Sequence, residues 1–439
     1  MVSAINCMNT DTAEIYSEES YNYKLPGVIQ QLLAIYAFFL AFPCIDIFGI
    51  SITFFIFLVI IAIHVFKRIQ IVTPDKTNKW FILLFSAGTL STLFHPPLDI
   101  EVSIMADVKT ISQFFYWFLL AMYVRSNFYL IDWWRLSKYF LWGIVALIIG
   151  FYYSPFKIDL DFIKIGFKLS RNGFIYNMLS FIPFTMWYMR YSNLRRIYLL
   201  ILCMFVLSIL FSNGRAGFVL ILIQVMLIGL ILYPRFRGIF LTGIFALAFT
   251  FVIWQFYSEA GITSDIADIV RPVNKRAAAM IAREGYEGDL SLDKSWQLRR
   301  LMVDKAVETV REYPLFGVGW LHFENYFARF ETLGNYPRLL SHGDKFLNTR
   351  SSHNSYAMYL AEGGIIGFMI LLVILFITFK PLTRKFLKNS LSESDLPMVS
   401  MLILAIYFYV ITSITGANTW FVIGASLGCA GTYLNSKNE

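Results

Sequence analysis

Long apolar runs alternate with short polar segments along most of this 439-residue chain. A helix needs roughly 20 residues to cross the hydrocarbon core of a bilayer. Apolar runs near that length predict about twelve membrane-spanning helices, so the expected fold class is an all-α polytopic membrane protein. The predicted spans are residues 28–42, 47–66, 80–94, 108–124, 139–153, 173–189, 197–211, 216–233, 238–257, 355–379, 398–415 and 417–434.

One polar segment, residues 258–354, is much longer than the others. A structureless loop of that length is uncommon, so we expect it to fold. Within it, LRRLMVDKAVETVREY (298–313) has apolar or small residues at the spacing of an amphipathic helix. Pro314 ends that pattern, and LFGVGW (315–320) predicts a glycine-rich turn. The segment therefore predicts a largely helical extracytoplasmic domain.

Basic residues mark the span ends that face the cytoplasm. Lys and Arg cluster in alternate short loops, whereas HPPLDIEVS (95–103) contains neither. Because cytoplasmic loops are enriched in Lys and Arg, we expect both termini in the cytoplasm. The predicted organisation is a cytoplasmic tail (1–27), nine spans (28–257), a periplasmic loop domain (258–354), three spans (355–434) and a cytoplasmic C-terminus (435–439).

Composition supports a membrane location. Of the residues, 57% are hydrophobic and 15% are charged, which is more apolar surface than a soluble core hides. The net charge of +8 is accounted for by the cytoplasmic anchors, so we expect contact with membrane lipids and no nucleic-acid partner.

Several cations fall on the predicted outer side, at the ends of apolar runs. An arginine there often extends to lipid phosphates, but its planar guanidinium also fits the phosphate oxygens of a bound ligand. Arg215 lies in the tight turn SNGRAG (212–217), where Gly214 lets a backbone approach a ligand. The other candidates are Arg171, Arg299 and Arg300.

The stretch SSHNSYAMYLAEGGIIG (351–367) places polar residues at the head of an apolar helix. His353 is suited to accept a proton near neutral pH, and the alternative is that it caps the helix, as Asn354 can also do. Glu362 lies about 180° around the helix from His353, so we expect it to bind another element, an arginine being one candidate. Gly363, Gly364 and Gly367 predict close helix packing.

The sequence offers no recognised metal-binding spacing. The histidines predicted on the outer side are not at i, i+4 spacing, none lies beside a cysteine, and the acids form no calcium-loop pattern. We expect no metal and no cofactor. These histidines are His95, His322, His342 and His353.

Three segments together resemble the bacterial O-antigen ligase/polymerase superfamily. HNSYAMYLAEGGIIG (353–367) resembles its His-Asn helix with a Glu-Gly-Gly ending, and RRLMVDKAVETVREYPLFGVGWLHFENY (299–326) resembles its helix followed by Pro-Leu-Phe-Gly. SNGRAGFVLIL (212–222) is similar to a Ser-x-x-Arg motif, although Asn213 and Gly214 stand where a second small or Ser residue is expected. The resemblance covers roughly residues 170–380.

This resemblance implies a multi-pass enzyme of the bacterial inner membrane with a GT-C-like fold and a periplasmic active site. Such an enzyme moves a glycan from undecaprenyl diphosphate to an acceptor, either another glycan or lipid A-core. Arg215 and Arg299 match donor diphosphate ligands, Arg300 competes with Arg299, and Arg171 is a further donor contact. His353 matches the base that activates the acceptor hydroxyl, and Asn354 and Glu362 are supporting residues.

Three functions are compatible with the sequence. The sequence favours a metal-independent polymerase of lipid-linked repeat units, and it favours a ligase to lipid A-core almost as much. A polysaccharide transporter or flippase is the alternative from another class. Transporters usually show related halves and polar sites at mid-membrane, whereas these polar residues lie at the predicted outer interface.

Overall fold

Most of the residues that the computed structural model describes are helical, and their ranges are given at the end of this paragraph. His353, the first 24 residues, most of the predicted ninth span and most of the predicted loop domain lie outside them. The described ranges are 25–47, 50–73, 76–99, 101–153, 157–159, 163–166, 171–191, 198–212, 215–236, 238–239, 241–243, 246, 267–272, 278, 294–326, 354–388, 390–392, 395–408 and 416–435.

Apolar periodicity located the helices correctly. Every predicted span except 238–257, most of which lies outside the described residues, coincides with a helix. The amphipathic pattern at 298–313 corresponds to a helix that ends at Glu312. The helices are α1 Gly27–Ala41, α2 Ile52–Phe66, α3 Lys76–Leu93, α4 Ile104–Ser126, α5 Trp133–Tyr153, α6 Arg171–Tyr191, α7 Tyr198–Phe211, α8 Arg215–Leu232, α9 Lys294–Glu312, α10 Ser355–Leu387, α11 Leu396–Tyr407 and α12 Ala417–Asn435.

The helices differ in how well each would cross a bilayer alone. Among the described residues, Trp133–Tyr152 and Ser355–Leu387 are long and apolar enough to do so. Shorter apolar helices include α1, α2 and α11. The described part of the chain is thus consistent with an all-α membrane protein, and twelve spans remain a prediction.

Two short hairpins form a small sheet that the apolar pattern does not predict. The strands are β1 Ile45–Ile47, β2 Ile50–Ser51, β3 Lys157–Asp159 and β4 Ile163–Gly166, in the antiparallel order β2-β1-β4-β3. Asp46 of β1 is opposite Ser51 on one side and Lys164 on the other. The Lys and Arg pattern predicts both hairpins on the outer side, and the pairing of β1 with β4 shows that the two hairpins lie together.

Small residues allow α4 and α12 to pack closely. A Cβ atom added to Gly424 would lie 2.5 Å from the Ala121 carbonyl oxygen. Beside this contact, the rings of Phe118 and Trp420 meet edge to face with centroids 4.4 Å apart. Membrane helices associate through this combination of small residues and aromatic packing. The resulting helix pair forms one wall of the region described next.

Candidate functional site

Helix α10 is broken at Gly364, whose φ of 61° and ψ of −168° are not helical. This backbone region is essentially restricted to glycine. A Cβ atom on Gly364 would lie 2.3 Å from the Leu315 carbonyl oxygen, so the break admits a second backbone. The glycine pattern predicts close helix packing, and the structure shows in addition that α10 is interrupted at Gly364.

The segment 314–319 fills the break in α10. Backbone groups of α10 that lose their helical partners bond to this segment instead. The Val318 and Gly319 N–H groups donate to the Ala361 and Glu362 carbonyl oxygens at 3.0 Å each, and Ile365 N–H donates to Pro314 O at 2.9 Å. Unpaired backbone groups are costly at membrane depth, so this docking is what makes a broken helix tolerable.

The next residue, Trp320, anchors the inserted segment between α3 and α4. Its indole is fully buried and stacks on Phe114 with ring centroids 3.8 Å apart. Gly88 on α3 provides the space, since a Cβ atom there would lie 1.8 Å from the Trp320 ring. The backbone N–H of Trp320 also donates to the Thr92 hydroxyl at 3.1 Å. The LFGVGW turn is therefore part of the helix bundle.

Glu362 is 1% exposed and its carboxylate faces the backbone N–H groups of Leu321 and Phe323. Leu321 has a positive φ of 58°, which is uncommon for a branched side chain. An arginine was one predicted partner for Glu362, but the charged groups near it in the described part of the chain are Lys305 and Glu324. The contact holds the loop on α10.

Lys305 of α9 lies below the same turn and is 1% exposed. Its Nζ donates to the Phe323 carbonyl oxygen at 2.7 Å and lies 4.3 Å from the centroid of the Phe323 ring. Burial lowers its pKa to about 8, while the nearby acids Glu324, Asp99, Glu308 and Glu362 act in the opposite direction. Lys305 thus links α9 to the turn that holds Glu362.

The head of α10, directly after His353, is fixed by three contacts. Asn354 is the N-cap, and its side-chain oxygen accepts from Ala357 N–H at 3.1 Å. Ser355 N–H donates to Phe408 O at 2.8 Å, which joins this head to the end of α11. The Tyr356 hydroxyl donates to Ala405 O at 2.7 Å. These contacts fix the backbone of the residues that directly follow His353.

The starts of α6 and α8 lie next to one another and to the end of α11. The Tyr407 hydroxyl of α11 donates to the Asn172 carbonyl oxygen, one residue after Arg171, at 3.4 Å. Two residues after Arg215, Gly217 packs on Ile175, and a Cβ atom at Gly217 would lie 2.9 Å from that side chain. The backbones that carry Arg171 and Arg215 are therefore neighbours.

The middle of α9 packs on the first turns of α10. Leu301 and Met302, just after Arg299 and Arg300, form a buried apolar cluster with Met358 and Ala361. Together with the preceding contacts, this brings the N-terminal ends of α6, α8 and α10 near the part of α9 that carries Arg299 and Arg300. The four segments that carry the predicted site residues therefore meet.

The side chains of the predicted residues are known to different extents. Asn354 and Glu362 are buried and Arg300 is exposed. The structure describes the backbones of Arg171, Arg215 and Arg299 but not their side chains. His353 lies outside the described residues. The roles of these residues stay predictions.

A cluster that the sequence spacing did not indicate lies beside the inserted segment. Asp107 in the first turn of α4 meets His95, which follows α3, and His322, which follows Trp320. The His322 Nε2 atom is 2.9 Å from one Asp107 oxygen, and the His95 Nε2 atom is 3.8 Å from the other. Burial lowers the pKa of His322, and Asp107 opposes that change. The available signal was only that all three residues fall on the predicted outer side.

Comparison with known families agrees with the motifs. Residues 200–372 match the O-antigen ligase family model. This match confirms the resemblance to the O-antigen ligase/polymerase superfamily and supports activity of that general type. The O-antigen ligase region contains α8, α9 and the broken part of α10, which carry the three motifs. No curated protein compared with the chain matches it.

Proposed function

We propose that this protein is a multi-pass glycosyltransferase of the bacterial inner membrane. It takes a glycan from undecaprenyl diphosphate and transfers it to an acceptor sugar at the periplasmic face, with no metal in the chemical step. Twelve spans, cytoplasmic termini and a periplasmic domain at 258–354 complete the proposed topology. The observation that carries the proposal is the meeting of the starts of α6, α8 and α10 with the part of α9 around Leu301, and all of these except α6 lie in the region that matches the family.

Arginines bind the donor diphosphate in this proposal. Arg215 begins α8, whose N-terminal end carries partial positive charge and so also favours phosphate, whereas Arg299 lies in the second turn of α9. Their guanidinium groups stabilise the negative charge that develops on the leaving diphosphate. Arg171, which begins α6, and Arg300 are additional donor contacts.

His353 is the proposed general base. It accepts the proton of the acceptor hydroxyl as that oxygen bonds to the anomeric carbon of the donor sugar. The bond from this carbon to the phosphate oxygen breaks, and its electron pair leaves with undecaprenyl diphosphate. A direct displacement of this kind inverts the anomeric centre. General base catalysis typically contributes about 10²–10⁴-fold to the rate.

Asn354 and Glu362 are positioning residues in this mechanism. Asn354 caps α10 directly after His353, and Glu362 holds the turn that follows the inserted segment. Both act on the backbone of α10 and its partner segment. Catalytic groups placed by rigid neighbours lose little entropy when the substrate binds.

The acceptor is proposed to be another lipid-linked repeat unit, which makes the enzyme a polymerase. A deletion strain then carries single repeats on its lipid A-core. Long unattached glycans on undecaprenyl diphosphate would instead identify a ligase, the alternative within the same superfamily. Loss of repeat units from the periplasmic face would identify a flippase and contradict the proposal.

Two substitutions test the site. His353→Ala is expected to abolish transfer while the purified protein still binds lipid-diphosphate donor, and unchanged transfer would exclude His353 as the base. Arg215→Lys keeps the charge and loses the planar fork, so we expect a large loss of donor affinity. Arg235→Lys, at a predicted cytoplasmic turn, is the matched control and should behave as wild type.

A further inference from the structure

Three side chains from separate segments direct ligand atoms to one point. One imidazole nitrogen each from His95 and His322 and a carboxylate oxygen of Asp107 lie within 4.8 Å of one another. The rings of the two histidines are nearly perpendicular, with centroids 4.8 Å apart. Asp107 is 7% exposed and His322 is 2% exposed, so the cluster is largely shielded from water.

Backbone contacts fix which nitrogen of each ring carries the proton. The His95 Nδ1 atom is 2.9 Å from Pro96 O, and the His322 Nδ1 atom is 3.2 Å from Val318 O. A carbonyl oxygen only accepts, so both Nδ1 atoms are donors. In the neutral rings both Nε2 lone pairs then face Asp107. Histidines that bind metals usually use this arrangement, with the second nitrogen bonded to a carbonyl oxygen.

His322 and Asp107 are in close contact through atoms that both carry lone pairs when the imidazole is neutral. The His322 Nε2 and Asp107 Oδ1 atoms are 2.9 Å apart, and within the described part of the chain neither has another hydrogen-bond partner. Two lone pairs at this distance repel unless a proton or a cation lies between them. Buried polar atoms of this kind are costly unless something satisfies them.

We propose that His95, Asp107 and His322 bind one divalent cation of the zinc class. Ligand atoms at about 2.0–2.2 Å from a tetrahedral zinc ion are roughly 3.4 Å apart. The His322 Nε2 atom is 2.9 Å from one Asp107 oxygen and the His95 Nε2 atom is 3.8 Å from the other, so each imidazole faces its own carboxylate oxygen at a comparable separation. Two imidazoles and one carboxylate suit zinc, whereas magnesium and calcium prefer all-oxygen sites. The His95 side chain is 22% exposed, which leaves a route for a water ligand.

The cation joins three segments of the bundle. His95 follows α3, Asp107 lies in the first turn of α4, and His322 lies in the turn that follows the inserted segment. Its role is to hold this segment in place, and the inference does not depend on the proposed function. Metal binding of this type adds directly to the stability of the folded state.

The test uses the tag-free, full-length protein in detergent. After treatment with EDTA, zinc chloride is added and excess ion is removed. We expect about one zinc ion per chain by elemental analysis and a higher melting temperature, whereas magnesium chloride gives neither. Asp107→Asn and His322→Gln should lose the bound zinc, and His64→Gln, at a buried histidine in α2, should retain it.

Two results would overturn the proposal. Wild-type protein that gains neither bound zinc nor thermal stability would show that the cluster is an ion pair only. Bound zinc that persists in both Asp107→Asn and His322→Gln would show that the ion lies elsewhere. If either variant fails to fold, the zinc-dependent melting temperature of the wild-type protein still decides between these outcomes.

Discussion

Gly364 of α10 and Leu315 of the inserted segment are in direct backbone contact. The contact leaves no room for a side chain, since a Cβ atom on Gly364 would lie 2.3 Å from the Leu315 carbonyl oxygen. It also places the Ile366 N–H group 3.3 Å from the same oxygen. The break in α10 and the segment that fills it are therefore one structural unit, and a change in either should disrupt both.

Gly364→Ala should be strongly destabilising. The positive φ costs a non-glycine residue about 1–3 kcal/mol, and the added methyl group displaces the segment 314–319. We expect a lower melting temperature and loss of glycan transfer. Gly367→Ala is the matched control, because no atom lies within 4 Å of a Cβ atom there and alanine favours a helix. Equal behaviour of the two variants would contradict the role assigned to Gly364.

Ser91 should contribute to stability through its hydroxyl group. This hydroxyl contacts the Glu362 carbonyl oxygen at 2.9 Å and also the Phe316 carbonyl oxygen. Ser91→Ala removes the donor and should cost about 1–3 kcal/mol. Ser112→Ala, at an exposed position on α4 where the hydroxyl bonds within its own helix, should change stability by less than about 0.5 kcal/mol. Thermal unfolding in detergent measures the difference, and a wild-type melting temperature for Ser91→Ala would count against the contact.

Lys305 should make stability depend on pH in the alkaline range. Its pKa is about 8 in the folded protein against an ordinary value of 10.5, so the unfolded chain binds the proton more tightly. The free energy of unfolding should rise by about 3 kcal/mol in total as the pH increases from about 8 to 10.5. Below pH 8 Lys305 is charged in both states, so the full cost of burying that charge is present. Lys305→Met should lack that rise. Parallel melting curves against pH for the two proteins would disprove the prediction.

Asp395 should contribute strongly to the stability of the folded protein at its predicted cytoplasmic end. Its buried carboxylate accepts from Lys385 Nζ at 2.6 Å and from Ser392 N–H at 2.8 Å. Asp395→Asn leaves the Lys385 charge unpaired in a largely buried place, which should cost about 3–5 kcal/mol. Asp132→Asn is the control, because its pair with Arg135 is about 40% exposed and should be worth under about 1 kcal/mol. A similar loss in both variants would refute the distinction.

Local sequence patterns predicted most helices but not the sheet. Apolar runs locate helices because a continuous stretch of apolar residues of helix length can be recognised from neighbouring residues alone, as in α1 and α5. The strands at Ile45–Ile47 and Ile163–Gly166 pair across more than 100 residues of chain, and neither is long enough to show a period of its own. The amphipathic α9 was predicted for the same reason as the spans.

The candidate site was predicted only in part. Asn354 is the helix cap that its residue type suggests, and Pro314 ends α9 as expected. Glu362 instead faces the backbone N–H groups of a turn, and a backbone partner leaves no trace in side-chain identity. The cluster of His95, Asp107 and His322 was missed because residue spacing within one helix gives no information about contacts between three separate segments.

The sequence by itself determined the helices, their apolar character and the family motifs, because each depends only on residues that are close together in the chain. Only the tertiary structure decided that the LFGVGW turn enters a broken α10 and that two histidines meet one aspartate. Both depend on backbone hydrogen bonds and contacts between distant segments. Gly364 permits the break, but whether another backbone fills it is determined by the packing of Leu315 and Trp320 against the bundle.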